Sequence, residues 1–291
     1  IDKPFELLHS AIKLSQPVLQ RDPAQLGVQV GGRVLAHLQV PEIKEFVVAA
    51  IGWRPTWPTM EQAGGACLAT LAGHSSSVYS VAIDGDRIVS GSVDKTIKIW
   101  NTEGECMKTL EGHSDDVNSV AIDGDRIVSG SVDKTIKIWN TEGECMKTLE
   151  GHSDDVNSVA IDGDRIVSGS DDNTIKIWNT EGECIKTLEG HSARVNSVAI
   201  DGDRIVSGSG DKTIKIWTTE GECIKTLEGH SECVTSVAID GNRIVSGSDD
   251  NTIKIWNTEG ECIKTLEGHS GYVSSVAIDG DQIVSGSDDN T

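Results

Sequence analysis

The chain is expected to fold as a mainly β array of small four-stranded antiparallel sheets, preceded by a short helical segment. Three observations carry that expectation. A block of 39 residues recurs almost unchanged, marked by Gly-His pairs at His74, His113, His152, His191, His230 and His269. Each block reads as short β-branched stretches separated by Asp-Gly and Glu-Gly turns. Residues 112–150 and 151–189 differ only at Val132/Asp171, Lys134/Asn173 and Met146/Ile185. A fixed period of this length marks a stacked architecture in which no unit buries its core alone.

Taken in order, residues 1–56 read as helices and a linker. Phe5, Leu7, Leu8, Ile12 and Leu14 suit a first helix. Asp22-Pro23 supplies an N-cap and a first-turn proline for a second, running to about Leu38. Gly31-Gly32 weakens its middle. A third helix covers Pro41–Ile51, and the prolines between Trp53 and Pro58 break it into an extended linker. The longest apolar run, Phe46–Ile51, is too short to span a membrane.

The repeat itself predicts four strands, taking residues 73–111 as the example. Val78–Ile83 is the first (a). Asp84-Gly85 follows as a two-residue hairpin turn needing φ > 0 at both central positions. Arg87–Ser92 is the second (b), Thr96–Trp100 the third (c), and Cys106–Leu110 the fourth (d), after a turn at Gly104. Helical solenoids of similar period lack this β-branched density and these turns.

Gly73-His74, Ser90-Gly91-Ser92, Asp94 and Trp100, repeated around the chain, resemble the WD-repeat β-propeller family over residues 67–291. The Asp that usually follows Trp in that family is Asn here (Asn101, Asn140, Asn179, Asn257), or Thr at Thr218. The resemblance implies a side-chain network in every blade. It comprises His74, Ser90, Asp94 and Trp100; His113, Ser129, Asp133 and Trp139; His152, Ser168, Asp172 and Trp178; His191, Ser207, Asp211 and Trp217; and His230, Ser246, Asp250 and Trp256. Ser92 is a rival for the Ser role. A hydrolase triad uses the same residue types, but identical chemistry in every blade fits a structural role. The N-terminal stretch resembles the helical segment before propellers in NB-ARC and NACHT signalling ATPases, through Asp22-Pro-Ala-Gln-Leu26, Gly32-Arg33 and Gly64-Gly65. An accessory helical cap is the alternative. No phosphate-binding G-x-x-x-x-G-K-[ST] occurs in these 291 residues.

Five complete blades are expected, with a sixth shared between the termini: two strands over residues 272–287, and Cys67–Leu71 as the outermost strand of that same blade. Trp57–Glu61 falls where its third strand should lie. The propeller domain then spans 57–291. Closing the array would remove open sheet edges.

The net charge is −21. Residues 1–66 are neutral, with six acids and six bases, so the repeats carry 46 − 6 = 40 acids against 25 − 6 = 19 bases. Such a surface repels nucleic acid and anionic membranes and favours basic peptides or proteins. Cys67, Cys106, Cys145, Cys184, Cys223 and Cys262 recur at one strand position and read as small core residues in a reducing, cytoplasmic setting. Cys233, in a d–a loop, reads as exposed. No C-x-x-C or complete calcium loop is present, so neither metal nor cofactor is indicated.

Variation gathers in the d–a loop with the start of strand a, and in the b–c turn. Strand direction puts both on one face, the top. That pattern points to recognition there, with Tyr79, Asp115, Asp116, Asn118, Asp154, Asp155, Asn157, Arg194, Asn196, Glu232, Thr235 and Tyr272 as candidate contacts. The function expected is a non-enzymatic interaction scaffold, or the sensor end of a larger signalling NTPase. The alternatives are a consensus-like repeat protein without a partner, and a propeller enzyme.

Overall fold

The computed structural model describes residues 70–289. The helices expected over 1–56 and the third strand expected at 57–61 lie outside those residues. So do Cys67, Leu68 and Ala69 of the expected closing strand, while Thr70 and Leu71 carry no strand.

Among the described residues, five four-stranded antiparallel sheets follow one another, each in the order a-b-c-d. In blade 1 the strands are Val78–Asp84, Arg87–Ser92, Ile97–Asn101 and Cys106–Leu110. Blade 6 has strand a (Val273–Asp279) and strand b (Gln282–Ser287) among the described residues. Strand c thus begins one residue later than the sequence suggests, because Asp94 and Thr96 close the preceding turn through hydrogen bonds from Thr96 N–H and Oγ1–H to Asp94 Oδ1. The a–b turn also differs. Asp84 pairs with Arg87, which leaves Gly85 and Asp86 at its centre. Gly85 takes φ +56°, and Asp86 is not among the residues with positive φ. In the b–c turn a non-glycine residue occupies the left-handed region, Lys95 at φ 67° and Asn173 at φ 66°. Asn101, where the family usually has Asp, accepts the Glu105 backbone N–H on Oδ1 at 2.8 Å and so holds the c–d turn.

The core lies between sheets rather than within them. One layer joins Val89, Ile97, Ile99 and Leu110 of blade 1 to Val117, Val120, Ile127 and Trp139 of blade 2. The next three layers repeat it at 39-residue spacing. Contact is closest at the glycine of the Ser-Gly-Ser strand. A Cβ added to Gly130 would sit 2.6 Å from Val156 Cγ1 and 3.0 Å from Val159 Cγ1. Gly130→Ala is therefore expected to destabilise by about 1–3 kcal/mol through overpacking. A urea titration checks this, and an unchanged midpoint would show that the two sheets can separate at no cost.

Polar groups fasten the same joints. Ser119 Oγ accepts the Val159 N–H at 3.0 Å, and Asp123 Oδ2 accepts the Gly163 N–H at 2.8 Å. Equivalent pairs recur from blade 1 through blade 6, for example Asp84 with Gly124 and Asp240 with Gly280. These aspartates and the isoleucines beside them, one pair from each blade, line a central cavity of about 440 Å³.

Side chains on the outer faces of the first and last described sheets are more exposed than their counterparts between blades. Val78 and Val81 on the leading face of blade 1 are 47% and 68% exposed, where their counterparts Val117 and Val120 are 0% and 5%. On the trailing face of blade 6, Val284 is 67% exposed against 0% for Val245.

The recurring cysteines of the described residues are not the small core residues that their strand position suggests. Cys106, Cys145, Cys184, Cys223 and Cys262 are exposed free thiols. They lie on strand d, the last strand of each sheet, where only the terminal leucine is buried. Cys233 is half-buried, its thiol 3.7 Å from the Gly210 carbonyl oxygen.

Candidate functional site

Each complete blade contains one directional chain of hydrogen bonds. In blade 2, Trp139 Nε1–H donates to Ser129 Oγ at 2.8 Å, and Ser129 Oγ lies 2.7 Å from His113 Nε2. His113 Nδ1 lies 2.8 Å from Asp133 Oδ2, which also accepts the Ser114 N–H. Thr135 donates to the other carboxylate oxygen at 2.6 Å. The indole supplies the proton to serine, so the serine hydroxyl donates to Nε2 and Nδ1–H donates to Asp133. The same contacts hold at His74, His152, His191 and His230 with their serines. Ser92 is not the rival: its hydroxyl accepts the Asp94 N–H at the b–c turn.

Burial holds His152, His191 and His230 below the usual histidine range despite their aspartates. The carboxylates go the other way. Burial alone would raise Asp172, but hydrogen bonds from Thr174, His152 and Ser153 outweigh it and hold the group at about 2. The result is neutral imidazole beside ionised carboxylate. Although the order Asp, His, Ser matches a hydrolase triad, Ser129, Ser168, Ser207 and Ser246 are fully buried, and each hydroxyl already receives an indole N–H. None can reach a substrate.

On the top face the two variable loop sets meet. Val132 N–H bonds the Asp116 carbonyl at 3.0 Å, and Asp171 N–H bonds the Asp155 carbonyl at 2.9 Å. Within this face most of the candidate contacts serve the fold. Asn118, Asn157 and Asn196 donate from Nδ2 to the carbonyl of the valine that opens the next blade, at 3.2, 3.1 and 2.8 Å. Thr235 donates to the corresponding Val273 carbonyl. Asp115 and Asp154 pair with Lys95 and Lys134 of the preceding blade, and Glu232 with Lys212, each at 3.3 Å. Where that lysine is Asn173 or Asn251, the acid is replaced by Ala193 or Gly271. The loop variation therefore follows the joint between blades, and this internal pairing is a signal that the sequence contained. Gly210 opposite Arg194 is a second case, since a Cβ there would lie 3.3 Å from Arg194 Cγ.

Asp116, Asp155, Arg194, Tyr79 and Tyr272 remain open to a ligand. Arg194 and both tyrosines are exposed. Burial raises the Asp155 carboxyl, and the neighbouring charges of Asp154 and Asp171 raise it further. The structure thus gathers Asp154, Asp155 and Asp171 into one electronegative patch beside Asp115. Among the described residues, no group of side chains able to hold a metal ion is present.

The family model described as "WD domain, G-beta repeat" matches residues 65–101, 104–140, 143–179, 182–218, 221–257 and 260–291. The chain belongs to the WD-repeat family. Its propeller is similar to the crystal structure of the computationally designed Ika8 protein, with a TM-score of 0.69 and 33% identity over 77% of this chain and 72% of that one. A stretch of 53 residues, 18% of this chain, is 57% identical to the vegetative incompatibility protein HET-E-1 of Podospora anserina. That stretch spans 4% of the fungal protein.

Proposed function

We propose that this WD-repeat chain is a non-enzymatic interaction scaffold whose top face receives a basic peptide or protein segment. The observation that carries the reading is the like-charge cluster at Asp154, Asp155 and Asp171, in which Asp155 is half-buried and its carboxyl is driven upward. Mutual repulsion lowers stability, and a cationic ligand would relieve it. Asp115 and Asp154 already have lysine partners, whereas Asp171 Oδ1 accepts only the neutral Asn157 Nδ2–H at 2.6 Å, so Asp116, Asp155 and Asp171 are the carboxylates to test. Tyr79 and Tyr272 are candidate aromatic anchors at the two ends of the array.

The experiment compares the parent with an Asp116→Ser, Asp155→Ser, Asp171→Ser variant on an array of lysine- and arginine-rich peptides. Binding should fall in the variant and weaken with salt in the parent. Equal binding by both proteins, or a ligand mapped to the a–b turns, would reject this surface.

The wider reading places the propeller as the sensor end of a larger cytoplasmic signalling NTPase. Its supports are the character of residues 1–56 and exposed thiols suited to a reducing compartment. A P-loop in the upstream reading frame is the expected finding, and an upstream region without one would reject it. The partnerless alternative is favoured by the near-identity of the repeats and by the similarity to a designed protein. Failure of every peptide to bind would select it.

A further inference from the structure

Strands c and d form the outer side of each complete blade, because every sheet runs a-b-c-d and strand a lines the central cavity. The chain carries a net charge of −21, yet each strand c and each strand d holds one lysine and no acid, as with Lys137 and Lys147 in blade 2. The acids of the repeat lie in the turns and loops or at the end of strand a. The strand-c lysines donate to a strand-d threonine at 2.8–2.9 Å, as Lys137 Nζ does to Thr148 Oγ1. Among the described residues, Lys108 is the one strand-d lysine with a carboxylate oxygen within 4 Å, that of Glu142 at 3.9 Å.

Beside each strand-d lysine stands a large apolar side chain. Met107, Met146, Ile185, Ile224 and Ile263 are 47–60% exposed. The ladder explains why. Trp139 pairs with Cys145 and Ile138 with Lys147, so Met146 is an unpaired bulge residue, and all five blades share this shift. A bulge re-aims a side chain, and bulges and lysines both keep a sheet edge from pairing with another chain. An exposed Met or Ile works against that guard. It is nevertheless kept where the repeats change. Positions 146 and 185 are one of three differences between two successive repeats, and both residues are large and apolar. Solubility does not account for this choice, whereas contact with a partner does.

We propose that the outer strands form a docking belt for an acidic polypeptide segment that carries apolar side chains. Apolar residues of the segment cover Met146 and Ile185, and its carboxylates pair with Lys147 and Lys186. The bulges disfavour a regular added strand, so the contact is made by side chains across neighbouring blades. Charge complementarity sets the sign of the partner. The acidic turns flanking the belt repel a broad anionic surface such as a bilayer or a duplex, which leaves a narrow segment as the occupant. Blades 2 to 4 each have a described blade on both sides and present the belt complete, so the site depends on neither end of the chain. None of its residues belongs to the acidic cluster of the top face, so the two proposals fail independently.

The probe is a fluorescein-labelled peptide repeating Glu-Leu-Glu-Glu, titrated into the full chain under reducing conditions beside a second peptide with serine in place of leucine. Saturable, salt-sensitive binding of the leucine peptide is expected, with slowed amide exchange over Cys145–Leu149 and Cys184–Leu188. Met146→Ser with Ile185→Ser should weaken it about tenfold, as for partial burial of two apolar side chains. Lys147→Gln with Lys186→Gln should weaken it about fivefold, as for two exposed ion pairs. All four side chains are exposed, so both variants should melt with the parent. Absence of binding, equal affinity for the serine peptide, or unchanged binding in either variant would overturn the proposal. So would exchange protection confined to the top-face loops.

Discussion

Trp139→Ala is expected to lower the stability of the propeller by about 3–5 kcal/mol, the range for truncating a large aromatic in a core. The side chain is 1% exposed and packs against Ile97, Ile99 and Leu110 of the preceding blade. Its removal would open a cavity between two sheets rather than inside one. It would also take from Ser129 Oγ its indole donor and from Gly112 the ring that covers it. Because each blade contacts only its neighbours, the loss should weaken the joint between blades 1 and 2 while leaving both hairpins intact. Thermal unfolding should show a fall of roughly 6–20 °C, the range for that loss in a domain of this size. A change within error would mean that the indole is not a structural plug. Asn140→Ala is a useful control, since its bonds lie in an exposed turn.

The repeat made the strands legible because hydrophobic alternation and turn residues act locally. Strands b and d match their expected limits, and the His, Ser, Asp and Trp residues meet as the family resemblance implies. What stayed hidden was direction and neighbourhood. Cys106 and Leu110 lie on one strand, yet only Leu110 is buried, since strand d covers the joint with its last residue alone. In the sequence Asn118 reads as a free polar group, because its acceptor, the Val156 carbonyl, lies in the next repeat. Variation at Asp115, Asp154 and Glu232 also tracks the lysines of the preceding blade that pair with them. A 39-residue period reveals equivalence between units but does not display contacts that cross from one unit to the next. Comparing position 95 with position 115 around the repeats would have exposed this one.

Acid should unfold the propeller in two stages. The imidazoles of His152, His191 and His230 are held below the usual range chiefly by burial, so the folded chain keeps them neutral. Below about pH 6.5 the unfolded chain binds protons that the folded chain does not, and stability starts to fall. The carboxylates act with the same sign at lower pH. Burial would raise Asp211 and Asp250, but hydrogen bonds led by Thr213 and Thr252 outweigh it and hold both at about 2, as for Asp172. A depressed carboxyl stabilises fully above its unfolded value and loses that contribution as pH falls toward its folded one. Each of these three therefore adds roughly 2 kcal/mol at neutral pH that is lost between about pH 4 and pH 2. Asp133 is held lower still, against burial, by bonds led by His113 and Thr135. Urea midpoints measured at pH 7, 5 and 3 should decline gently at first and then steeply. Asp172→Asn removes one titrating group while keeping its shape, so it should be less stable at pH 7 and lose less on acidification. A midpoint that stays flat or rises from pH 7 to pH 3 would show that the buried chains are not ionised as the hydrogen bonds require.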